Sequence, residues 1–179
     1  MKTYSDFVDA ILRTEGLLQK LVPTEPQYYE LLIRVRAADD ATLTDQRPIG
    51  KPPMFTLVRG GLLYALDAID EAHKIFQDSP GDLGSYWHGM VHRREGDFDN
   101  ARYWFRRTGE LTFFGELHSA ASAYSADMGR QSNWDPYLFT GACEQARFGE
   151  TEGLKDLATI QRLEFDAIFA YCWRQSEVG

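Results

Sequence analysis

The residues of this chain best equipped for chemistry are gathered in one run, YWHGMVHRREGDFDNARYWFRR, from Tyr86 to Arg107. His88 and His92 stand four positions apart, so on a helix they stack on one face, and Glu95 joins them within an arc of about 60°. Two imidazoles and a carboxylate on successive turns are the ligand types of a divalent metal, and equally the groups of a general acid and base. A third histidine, His73, lies one helix earlier on an apolar stripe with Phe55, Leu62, Leu66 and Ile69. A polar ring on an apolar face must find a partner or lose its hydration. Asp70 and Gln77 are within reach along the same helix, and Gln161 and Glu164 are inward-facing polar groups on a later one, which together suggest a shared polar pocket. The expected catalytic set is therefore His73, His88, His92 and Glu95, with His88 and His92 as metal ligands. The opposing reading comes from the same helical wheel. Tyr86, Trp87, Met90 and Val91 define the apolar side, so the His88–His92–Glu95 arc points away from the core, toward solvent or a structural hydrogen bond.

The same run holds five arginines against three acids, a local positive excess in an acidic chain. One reading makes it an anion or sugar pocket, with arginines as bidentate donors and Trp87 or Trp104 as an apolar wall. Its ligand-binding residues are Gln77, Trp87, Arg93, Arg94, Asn100, Trp104 and Gln161. The other reading is a structural network, in which the arginines pair with acids and with carbonyls near helix ends.

HKIFQ (His73–Gln77), followed by SYWHGMVHRREGDFDNARYWFRR, resembles an uncharacterised family of helical proteins of bacteria and fungi with the signature WHxxxHRREGDFxNAxYWFRR. The resemblance is close over Asp70–Gly109 and looser at Cys143-Glu144 and from Ile160-Gln161 to Glu164. It implies that His73, Gln77, His88, His92, Arg93, Arg94, Glu95, Asp97, Asn100 and Trp104 are signature positions, and it brings no activity with it.

Helices must position these groups, because helical periodicity recurs throughout and no strand alternation appears. Ser5 is the expected cap of a first helix, and Thr24-x-Pro26-Gln27 of a second that ends near Ala38. The polar, proline-bearing stretch from Asp39 to Pro53 reads as a flexible loop. A third helix is predicted from Phe55 to Gln77, then two short ones over Ser85–Glu95 and Phe98–Arg107, joined at Gly96-Asp97. Three more follow, at Leu111–Ala126, Asp135–Phe148 and Thr151–Arg174. Gly89, Ala101 and Phe105 have the spacing of a tetratricopeptide hairpin, but nothing comparable recurs at the period of that repeat. The fold class is all-α, a single domain over 1–179 built as a mostly antiparallel bundle of about seven or eight helices.

With 27 acids against 19 bases, a net charge of −8, the chain is not expected to seek nucleic acid or an anionic membrane. No run nears the roughly 20 apolar residues of a membrane span, and MKTYSDFVDAIL does not read as a signal peptide. The two cysteines, Cys143 and Cys172, fall on apolar helical faces and are expected as buried thiols in a cytoplasmic protein. Nucleotide-binding glycine motifs, CxxC, HExxH and GxSxG are all missing, so no nucleotide cofactor is expected. The functional expectation is a small-molecule-binding protein or enzyme with a His/Glu/Arg pocket over residues 73–107, divalent metal being the candidate cofactor and a small polar or anionic molecule the partner. Its alternative is a structural or protein-interaction module with a buried hydrogen-bond network.

Overall fold

Two glycines fix how the central helices meet. Gly60 lies on α4 (Pro52–Ala65), and Phe76 of α5 (Ile69–Gln77) sits so close that a β-carbon at Gly60 would stand 2.7 Å from its ring. Gly89 lies on α6 (Gly81–Glu95) and meets Phe105 of α7 (Phe98–Phe105) in the same way, again at 2.7 Å. One constant offset along the chain relates Gly60 to Gly89 and Phe76 to Phe105. The same offset relates Asp67 to Gly96, the left-handed residues at the two turns (φ +61° and +80°). Ile69 and Phe98 open the second helix of each unit, and Ala72 and Ala101 are fully buried within it. The chain thus contains two consecutive helical hairpins of one design, with a repeat shorter than the tetratricopeptide period.

The structure, a computed structural model, describes residues 4–148 and 153–179. Among these residues it is all-α, with eleven helices and no strand apart from an isolated Ile49–Val178 bridge. Helix α1 (Asp6–Leu12) is capped by Ser5, whose hydroxyl accepts from the Val8 amide. Helix α2 (Tyr29–Ala37) starts later than the Thr24 capping box predicts, because the preceding segment is held by side chains from elsewhere: Gln161 donates to Leu18 O and Lys20 O, and Arg94 to Lys20 O. The stretch from Asp39 to Pro53, read as a flexible loop, contains α3 (Asp40–Leu43) under an Asp39 cap. Its end pairs with the C-terminal segment through Gly50 N to Glu177 O and Lys51 N to Ser176 O.

The helix expected from Phe55 to Gln77 is two helices, broken at Leu66–Ala68, which explains part of the higher helix count. Helix α6 begins at Gly81, inside the SPGDLG segment predicted as a break, since Pro80 suits a helix start. The expected Leu111–Ala126 helix is shorter, α8 (Phe114–Ala121), and is followed by α9 (Ala126–Gly129). Helix α10 (Pro136–Arg147) is capped by Asp135, which accepts from the Tyr137 and Leu138 amides. The last helix, α11, is described over Leu154–Gln175; its predicted start at Thr151 lies outside the described residues.

Helix α6 lies between α5 and α7, α10 packs on α7, and α11 lies across α4 and also meets α8 and α10. One hydrophobic core runs through all of these; at its centre Phe76 stacks on Trp87 and Phe165 on Phe169, and Trp87 meets Phe165 edge to face. Among the described residues, no helix is long and apolar enough to cross a membrane. Close helix approach at Gly60 and Gly89 is a property of the glycines, so Gly89→Ala and Gly60→Ala should each destabilise by roughly 1–3 kcal/mol through overpacking against a phenylalanine. Urea denaturation checks this, and a neutral Gly89→Ala would show that α6 and α7 can part without cost.

Candidate functional site

Helix α6 is enclosed by its neighbours, so the face that sequence periodicity points toward solvent is turned onto α5 and α7. His88 and His92 are 4% and 6% exposed. Their rings stack at 4.7 Å, as four-residue spacing requires, and Trp104 of α7 lies over His88 at 4.1 Å. From α5, His73 places its ring 4.7 Å from both. One nitrogen from each of the three rings lies within 4.8 Å of the others, and His73 Nε2 is 2.9 Å from His88 Nε2.

Glu95 organises the cluster. His73 Nδ1 donates to Glu95 Oε1 at 2.6 Å, and His92 Nδ1 lies 2.9 Å from Glu95 Oε2. Burial raises the Glu95 carboxyl's affinity for a proton, but hydrogen bonds from His92 and His73 outweigh it and hold the group below the ordinary range. An ionised carboxylate accepts only, which assigns the protons of both rings to Nδ1 and leaves both Nε2 lone pairs free. His73 Nε2 can then accept from His88 Nε2, and His88 Nδ1 is left as a buried atom with no partner. Burial, and next the neighbouring His92 and His73 rings, push His88 down to about 4, with Glu95 opposing.

The three histidines could hold a metal ion. Tetrahedral zinc with Zn–N bonds of 2.0–2.1 Å needs nitrogens about 3.3 Å apart, a value between the 2.9 Å of the His73–His88 pair and the 4.8 Å that bounds the set. The cluster opens at one end only: the His73 and Glu95 side chains are 24% and 27% exposed. Asn100 stands 3.5 Å from His92 Nδ1 and Asp97 3.9 Å, both on the same rim. Next to Glu95 is a cavity of about 430 Å³, also lined by Arg36, Asp67, Asp70, Glu71 and Arg94.

His73, His88, His92, Glu95, Asn100 and Trp104 are therefore brought together. Gln77 is exposed one turn beyond His73 and hydrogen-bonds to none of them. Trp87 is fully buried, with its indole donating to Cys172 Sγ at 3.5 Å, so it walls no pocket. Arg93 and Arg94, expected as ligand donors, are inside the protein and engaged with it. Arg93 forms a buried ion pair with Glu164, packs over Phe139, and shares the carboxylate with the Tyr86 hydroxyl, which in turn accepts from Trp134 Nε1. Arg94 pairs with Asp67 and donates to Tyr64 O at 2.8 Å. Gln161 and Glu164 do face inward, but toward the chain at Leu18–Lys20 and toward Arg93, not toward His73. The shared pocket of His73, Gln161 and Glu164 is thus replaced by three separate polar systems around α6, His73 with Glu95 and His88, Gln161 with the Leu18–Lys20 chain that Arg94 also meets, and Glu164 with Arg93. Burial raises both thiols, Cys143 and Cys172, to about 12, and each is free. Sequence reasoning paired His73 with the wrong helix; a search for repeats at the Gly60–Gly89 offset would have ended α4 at Ala65 and turned α5 onto α6.

No protein-family model, curated protein or solved structure matches the chain.

Two outcomes follow from these buried groups. Breaking the Arg93–Glu164 pair from one side, as in Glu164→Gln or Arg93→Met, should cost about 3–5 kcal/mol in chemical denaturation, because the remaining group is left buried without its partner. Stability should also fall on acidification. The folded value for His88 lies below its ordinary 6.5, so between pH 6.5 and about 4 the unfolded chain takes up a proton that the folded chain refuses. The depressed Glu95 carboxyl acts in the same direction at lower pH. His88→Phe should flatten the decline between pH 6.5 and 5 in thermal melts; an unchanged slope would locate the proton uptake elsewhere.

Proposed function

We propose that this protein binds a divalent metal, zinc by the chemistry of the donors, through His73, His88 and His92, and works through that centre as an enzyme or small-molecule-binding protein. The observation that carries the reading is a single carboxylate, Glu95, bonded to Nδ1 of two histidines that sit with a third, one nitrogen of each ring lying within 4.8 Å of the others. Ligating histidines characteristically have their second nitrogen held this way, which fixes the tautomer and aims the lone pair. Burial keeps His88 neutral down to about pH 4, so one of its nitrogens keeps a lone pair across the physiological range; a metal among the three rings would take the place of the His88–His73 hydrogen bond, with the His88 proton moved to Nδ1. Three protein nitrogens leave a tetrahedral metal one position for an outside ligand. Bound there, the metal would polarise a ligand or acidify a water.

Each residue then has a distinct task. His73, His88 and His92 donate; Glu95 has both oxygens engaged and positions the rings rather than accepting a substrate proton; Trp104 covers His88 and excludes water from that side. The cavity beside Glu95 gives room for a small polar molecule. Its two arginines are already matched, Arg36 with Glu71 and Arg94 with Asp67, while Asp70 and Glu25 have no guanidinium paired with them among the described residues. A neutral or cationic ligand suits that lining better than the anionic one expected from the arginine count. Arg93 and Arg94 fit the structural alternative, each held in a buried ion pair, while Arg106 and Arg107 are exposed. The proposal extends the metal ligand set to the family that Asp70–Gly109 resembles, since His73, His88, His92 and Glu95 are among its signature positions.

Element analysis of untagged protein should find close to one equivalent of zinc, or uptake of one, and His88→Ala should lose it. Glu95→Gln should weaken affinity about 10–100-fold while retaining the fold. Wild type that takes up no more metal than His88→Ala would overturn the reading.

A further inference from the structure

We propose that the buried Asp67–Arg94 pair is a positioning device for the histidine centre: it fixes α5 against the last turn of α6 and so carries His73 to His88 and His92. The inference builds on the metal reading for its functional consequence and on geometry alone for its structural half.

The two hairpins supply the comparison. At the turn of the second, Gly96 adopts φ +80°, a conformation glycine takes freely. At the equivalent turn of the first stands Asp67 with φ +61°, where an L side chain is strained. A glycine would serve the turn itself, so the aspartate points to a use for the carboxylate. That use is visible: the Asp67 side chain is 3% exposed and pairs with an Arg94 guanidinium that is fully buried. The same guanidinium donates to Tyr64 O at the end of α4 and to Lys20 O at 3.2 Å, so its planar fork ties three segments to α6. The next residue along α6 is Glu95, which holds His73. Consecutive residues therefore grip the same hairpin twice, Arg94 at its turn and Glu95 further along α5, at His73. A further ion pair to α5, Arg36–Glu71, is half exposed and links α5 to α2 across the cavity beside Glu95, where solvent screens it more than the buried Asp67–Arg94 pair.

The test uses the full-length protein with 15N-labelled histidine and reads two quantities: the Nδ1-protonated signal of His73 in the metal-free state, and cobalt(II) affinity with its visible spectrum. Because Asp67→Gly alone strands a buried guanidinium, the informative variant is Asp67→Gly/Arg94→Met, which removes both charges and relieves the turn. It should keep helical circular dichroism, lose the His73 signal to averaging, and bind cobalt at least tenfold more weakly with an altered spectrum. Asp67→Asn, which tolerates the left-handed turn and still accepts from Arg94 but leaves the buried guanidinium without its counter-charge, should lower stability while keeping both readouts within about twofold of wild type. A double variant with the wild-type His73 signal and cobalt affinity would overturn the proposal. Should it fail to fold, Arg94→Lys decides: an ammonium keeps the charge but not the three-way fork, so the His73 signal should shift, and an unmoved signal overturns the proposal. If wild type takes up no cobalt yet the His73 signal responds as described, the positioning role stands and the metal reading is what fails.

Discussion

The constraint on which this structure turns is the desolvation of α6. Ten of its fifteen residues are buried, among them His88, His92, Arg93 and Arg94. A helix carrying that many polar groups into an interior is tolerable only when they find partners there. Most come from far along the chain, Glu164 for Arg93, Asp67 and two backbone carbonyls for Arg94 and His73 for His88, while Glu95 of α6 itself serves His92. The neighbours of α6 are thus chosen by its polar side chains as much as by its apolar ones. His88 Nδ1 is among the few atoms left out, and it belongs to the ring most in need of a further ligand.

Successive residues of a helix fan out by about 100° each, and the last turn of α6 uses the whole circle. His92 turns to α5 and α7, Arg93 to α10 and α11, Arg94 to the α4–α5 turn, and Glu95 returns to His73. Four consecutive side chains thereby enter three polar systems. One is sealed and carries a guanidinium, a carboxylate, a phenol and an indole; the second is the buried Arg94–Asp67 pair with its backbone carbonyls; the third, of His92 and Glu95 with His73, opens to solvent beside a cavity. A single stretch of sequence reads as one site because the chain is linear, whereas the helix distributes it over opposite walls.

The hairpin repeat explains why α6 can be central at all. Gly60 and Gly89 let each hairpin close tightly, and stacking the second on the first covers α6 from both sides. The histidine cluster forms in the seam between the two units, with His73 from one and His88, His92 and Trp104 from the other. Neither hairpin alone contains it.

Much was legible from local chemistry. The all-α class, the Ser5, Asp97 and Asp135 caps, the Gly96 turn and the choice of His73, His88, His92 and Glu95 as one chemical set all follow from residue types and short spacings, because caps and helical faces depend on neighbours within about four positions. What the spacing could not contain was the direction of the His88–His92 face. A wheel ranks faces by apolarity, and it names Trp87 and Tyr86 as the inward side; it has no knowledge of a second and third helix that also cover the polar side. The break at Asp67 was hidden for a related reason, since aspartate enters the left-handed region less readily than glycine, and the partner its buried carboxylate has there, Arg94, comes from the far end of another helix. The sequence by itself determined which side chains would be chemically capable. Only the tertiary structure, by enclosing α6 between two stacked hairpins, decided that the histidines converge while the arginines next to them are consumed in holding the fold together.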